Sequence, residues 1–112
     1  MTKAERERVL RRDFATCYHC GSSGEDIILH HRKNRGMGSK NASASQLSNY
    51  LSVCSEFNGL MESDAESARL ARERGWKLLQ FQDPAFEPVF EVVTNTWWFL
   101  ENDGSRQVAL VD

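Results

Sequence analysis

The sequence predicts an α+β fold in a single domain. Three observations carry that expectation. The motifs Thr2-Lys3-Ala4-Glu5 and Ser63-Asp64-Ala65-Glu66 have the S/T-x-x-E form that opens helices. Two short apolar runs, at residues 27–30 and 50–54, are separated by a polar stretch with no hydrophobic period. The last third is rich in Val, Phe and Trp and is punctuated by Asp83-Pro84 and Glu87-Pro88. At 112 residues the chain is one domain's worth, and 40% apolar with 27% charged residues is ordinary for a globular protein.

The first capping box predicts a helix over residues 3–14, with Val9, Leu10 and Phe14 on its buried face. Cys17-Tyr18-His19-Cys20-Gly21 then reads as a knuckle, followed by a Ser/Gly loop. Ile27-Ile28-Leu29-His30 is a short strand by its β-branched run. Residues 33–48 form a long loop of Gly, Ser, Asn and Lys, a type that is usually functional or mobile. Tyr50-Leu51-Ser52-Val53-Cys54 is a second strand, and a turn or two of helix follows through Phe57, Leu60 and Met61. The second capping box opens a helix ending at Arg74, with Gly75 just past its end. Residues 76–80 are a candidate strand, residues 89–93 and 97–100 a hairpin around Thr94-Asn95-Thr96, and Asp103-Gly104 a turn. The final eight residues are expected to be loose.

No apolar run approaches 18 residues, which excludes a transmembrane helix, and the charged start lacks the apolar stretch of a signal peptide. The expected location is the cytoplasm. There, three cysteines argue against a disulfide framework. Thiolate metal binding and simple burial both remain open. Net charge is −2, but it is unevenly spread. Residues 1–53 carry nine basic and five acidic side chains, whereas residues 54–112 carry five and eleven. A basic front half can present a local phosphate-binding face on an acidic protein.

The candidate chemistry lies between residues 27 and 62. His30 and His31 are adjacent, Asn49 follows 18 residues after His31, and Asn58 nine residues after Asn49. Arg32, Lys33, Arg35 and Lys40 supply positive charge beside the pair, and Cys17, Cys20 and Cys54 frame it. This constellation resembles the HNH endonuclease family, whose core is the ββα-metal motif. More narrowly, the strings HHRKNRGMG, CSEFNGLMESD and RGWKL are similar to the small free-standing HNH proteins of actinobacterial phages. The resemblance spans about residues 5–104.

The resemblance implies a ββα-metal core over about residues 15–62, with an N-terminal helix before it and a helix and β-hairpin over about 63–104. It implies a metal-dependent endonuclease that hydrolyses phosphodiester bonds in DNA. His31 would be the general base, since an imidazole pKa of about 6.5 suits proton abstraction near neutral pH. Asn49 would hold the loop and orient that base. His30 and Asn58 would bind one divalent ion, magnesium or manganese, because an amide oxygen is a hard donor. Alternation along a strand points adjacent side chains to opposite faces, so a local break is expected to bring both imidazoles together. Arg32, Lys33, Arg35 and Lys40 would contact phosphates. Cys17, Cys20 and Cys54 match a structural zinc site, with Phe57 where zinc-bearing members place a fourth cysteine. The fourth ligand is then His19, Glu56 or water.

Two other readings remain open. A nucleic-acid-binding module on the same fold, without catalysis, is motivated by Asn58 and the incomplete cysteine set. An interaction protein working through the acidic half is the other. The oligomeric state is open between a nicking monomer and a homodimer that cuts both strands.

Overall fold

A computed structural model describes residues 1–34 and 46–109. Among them, three helices and two antiparallel sheets make an α+β domain. Helix α1 is Lys3–Arg12. The Thr2 hydroxyl accepts from the Glu5 amide and the Glu5 carboxylate accepts from the Thr2 amide, so the predicted capping box is complete. The helix stops before Phe14 because Phe14 and Ala15 both take positive φ, 55° and 47°. Phe14 is therefore exposed and does not join Val9 on the buried face, as the helical period had predicted.

Strand β1 (Ile27–His31) pairs with β2 (Tyr50–Cys54), and helix α2 (Ser55–Ser63) follows β2 without a break. A 3-10 turn at Leu47–Asn49 leads into β2. Cys54 caps α2, its Sγ accepting from the Phe57 amide at 3.4 Å. Helix α3 (Ala65–Glu73) is capped by Asp64 rather than Ser63, through the Ser67 amide. Past its end, Gly75 has φ +77°, and a Cβ there would run into the Pro88 carbonyl oxygen. Gly75→Ala is expected to cost roughly 2 kcal/mol or more, because strain and clash add. Urea unfolding of the variant would show this as a lowered midpoint with an unchanged slope.

Residues 76–80 form no strand. Trp76 is fully buried, and the amides of Trp76 and Lys77 both bond to the Ala71 carbonyl, which folds the segment back on α3. The predicted hairpin is present as β3 (Val89–Glu91) and β4 (Thr96–Leu100), with Asn95 at φ 51° in the turn. A third strand, β5 (Arg106–Val108), pairs with β4, so the segment expected to be loose is ordered there. Residues 110–112 lie outside the described set.

The main core gathers Tyr18, Ile27, Leu51, Val53, Phe57, Met61, Trp76, Val89 and Leu100. A buried polar knot ties α1 to β2. Asp13 accepts from Arg12 at 2.7 and 2.9 Å, from the Tyr18 hydroxyl at 2.6 Å, and from the Ser52 hydroxyl and amide at 2.8 and 3.1 Å. A carboxylate with its lone pairs satisfied in this way can be buried without leaving an unpaired charge.

Candidate functional site

The residues singled out by sequence fall around the β1–β2 pair and α2. Helix α2 starts where β2 ends, so Asn58 stands one turn above the hairpin. Its side chain acts on the His30 ring, favouring the protonated imidazole. On the other side of the ring, His30 Nε2–H donates to the Trp76 carbonyl at 2.8 Å. That bond fixes the tautomer and leaves the Nδ1 lone pair on the remaining nitrogen. A backbone carbonyl holding one ring nitrogen is the usual way a metal-binding imidazole is oriented.

Burial is the main cause of a lowered His30 pKa, to about 4, with the charge of His31 adding to it. The bond to Trp76, the Asn58 side chain and the charge of Glu62 oppose that shift. The imidazole is neutral at neutral pH, as a ligand must be. In the metal-free chain, the unfolded state takes a proton near pH 6.5 and the folded state near pH 4. Stability should therefore fall as pH drops through that window, by at most roughly 3 kcal/mol. Urea midpoints in EDTA at about pH 7 and about pH 5 check this, with His30→Asn expected to flatten the difference.

Pairing between β1 and β2 runs without interruption through His30↔Leu51 and His31↔Tyr50. The expected break in the strand is absent: regular alternation puts His30 on the α2 side and His31 on the other face. The His31 ring lies over Tyr50, with centroids 4.6 Å apart. Asn49 is fully buried. Its Oδ1 accepts from the Lys33 amide at 2.8 Å and its Nδ2 donates to the Lys33 carbonyl at 3.0 Å. The Arg32 amide also donates to the Asn49 carbonyl at 2.8 Å. Asn49 thus grips the chain two residues beyond His31 and sets the direction in which it leaves the strand.

Two of the basic residues expected to contact phosphate are buried instead. Arg32 is 0% exposed, and its guanidinium donates to the carbonyls of Gly75, Ser48, Pro84 and Glu87 at 2.8 to 3.0 Å. Burial, with Arg12 nearby, pulls its pKa down to about 9, which still leaves it charged at neutral pH. Lys33 is 3% exposed, and its ammonium donates to the Gln82 carbonyl at 2.9 Å. Both side chains hold the 75–88 segment against the hairpin, and neither faces solvent. Arg35 and Lys40 lie outside the described residues.

Sequence reasoning passed over Glu62. It follows Asn58 by one helical turn, the spacing that places two side chains on one face, and its charge reaches His30. Lys77 stands 3.7 Å from its carboxylate. The i, i+4 relation was readable. The Trp76 carbonyl was not, because a backbone acceptor leaves no mark on residue type.

The three cysteines converge. Their Sγ atoms lie within 4.8 Å of one another and could bind a metal ion such as zinc. Cys20 and Cys54 Sγ are 3.8 Å apart. Two thiolates at 2.3 Å from a tetrahedral zinc ion stand about 3.8 Å apart, so this pair has the spacing of one edge of such a site. Cys17 Sγ accepts from the His19 amide at 3.4 Å, Cys54 Sγ from the Phe57 amide, and Cys20 Sγ lies 3.1 Å from the Ser22 hydroxyl. Such contacts orient and charge-balance metal-bound sulfur.

No protein-family model matches this chain, and comparison with curated proteins and with solved structures returns no match. Among the described residues, no helix is long and apolar enough to cross a membrane.

Proposed function

We infer that the protein is a metal-dependent endonuclease of the HNH type, hydrolysing phosphodiester bonds in DNA. The observation that carries this reading is the buried His30 imidazole, oriented by the Trp76 carbonyl and acted on by Asn58 from α2. Two protein donors suit magnesium or manganese, ions that keep several waters and add phosphate oxygens. When bound, such an ion would offset charge developing on the scissile phosphate.

The chain's own groups have distinct tasks. His30, held by Trp76, keeps a neutral imidazole in place. Asn58 offers its amide oxygen from α2. His31 is assigned the proton of the attacking water; from the face opposite His30 it reaches that water only around the end of β1. Asn49, by clamping Lys33, holds the strand end so that His31 keeps its aim. Arg35 and Lys40 are the remaining phosphate-directed charges.

Supercoiled plasmid incubated with the protein should convert to nicked or linear form with added magnesium or manganese, and not in EDTA. Salt-sensitive DNA binding with no conversion under any divalent ion would replace this reading with that of a non-catalytic binding module.

A further inference from the structure

The cysteine cluster has three donors where a closed structural zinc site has four. Neither His19 nor Glu56 belongs to the set of converging ligand atoms. The residue three after Cys54 is Phe57. Its amide bonds to Cys54 Sγ, but its side chain turns into the core and stacks on His19, with ring centroids 3.7 Å apart and planes 3° from parallel. The phenyl ring offers no lone pair to a metal.

A cavity of about 260 Å³ adjoins the cluster, lined by His19, Cys20, Cys54, Glu56, Phe57 and Leu60. Two of the three cysteines line it. The third, Cys17, is buried. The arrangement is closed on the core side and open on the cavity side. Zinc sites with three protein ligands and an accessible fourth position bind exogenous donors there.

We propose that Cys17, Cys20 and Cys54 hold a zinc ion whose fourth position opens onto this cavity and accepts a small neutral donor of the imidazole or water class. Charge decides the class of donor. Three thiolates around a dication leave a net charge of −1, and the Glu56 carboxylate on the cavity wall disfavours a further anion. The three thiols lose their protons to solvent as the ion binds. This inference is independent of the nuclease reading, since it concerns different residues and needs no cleavage.

Cobalt(II) substitution of the full chain tests it. One cobalt per chain is expected, with thiolate charge-transfer bands. Added imidazole should shift the visible d–d bands saturably, while chloride should have little effect. Phe57→Cys should convert the spectrum towards four thiolates and remove the imidazole response. That variant gives up a buried ring, so X-ray absorption on the zinc form of the unaltered chain provides a second reading. Three sulfurs and one light nitrogen or oxygen scatterer, unchanged in His19→Ala and Glu56→Gln, would support an exogenous ligand. Loss of the light scatterer in either variant would overturn the open position. So would indifference of the unaltered cobalt protein to imidazole, or failure to retain a metal at all.

Discussion

Arg32→Met is expected to destabilise the domain by several kcal/mol, on the order of 4. The guanidinium is buried and gives its donors to four backbone carbonyls drawn from three places in the chain: Ser48, Gly75, and the Pro84 and Glu87 loop. A methionine fills much of the volume but donates nothing. Each buried acceptor left without a donor costs about 1–3 kcal/mol before relaxation. Small domains have only about 5–15 kcal/mol in total, so the urea midpoint should fall steeply. Arg32→Lys should recover part of the loss, because an ammonium cannot span the same fork of acceptors. A midpoint equal to the parent's would show that the 75–88 segment is held by something else.

His31→Ala is expected to remove DNA cleavage, with a rate loss of about 10²–10⁴ or more for a general base. The fold should survive, because the side chain is only half-buried and its described ring contact is with Tyr50 at the strand end. DNA binding should be largely retained, since phosphate contacts supply most of the affinity. The result is informative only with both measurements in hand. Lost cleavage with retained binding assigns His31 to the chemical step. Cleavage equal to the parent's would exclude it as the base.

Much of the backbone was legible in the residues. The box at Thr2 and Glu5, the apolar run of β2, and the left-handed Gly75 are local features, each decided within four or five residues. The errors came where distant groups compete for the same chain. Residues 76–80 have the composition of a strand, but the Ala71 carbonyl takes two of their amides and the Arg32 carbonyl one, so no ladder forms. Phe14 has the right period for the face of α1, yet the chain has already turned out of the helix. Arg32 and Lys33 look like a basic patch because sequence reports charge and not depth.

The candidate site divides in the same way. Adjacent imidazoles, the spacing to Asn49 and Asn58, and three cysteines named the side chains with metal-binding or proton-transfer chemistry. They did not say that Asn49 would grip a backbone unit, that His30 would lean on the Trp76 carbonyl, or that Phe57 would leave the thiols one donor short.

What the sequence by itself determined was the order of elements around the hairpin and the identity of the groups able to carry charge, protons or metal. Those follow from local propensity and side-chain chemistry. Only the tertiary structure decided which of these groups face each other and which are spent inside. Hydrogen bonds between residues 30 and 76, or 32 and 84, form only once packing has closed long stretches of chain between them. That closure turned two expected phosphate contacts into internal clamps and left an opening beside three sulfurs.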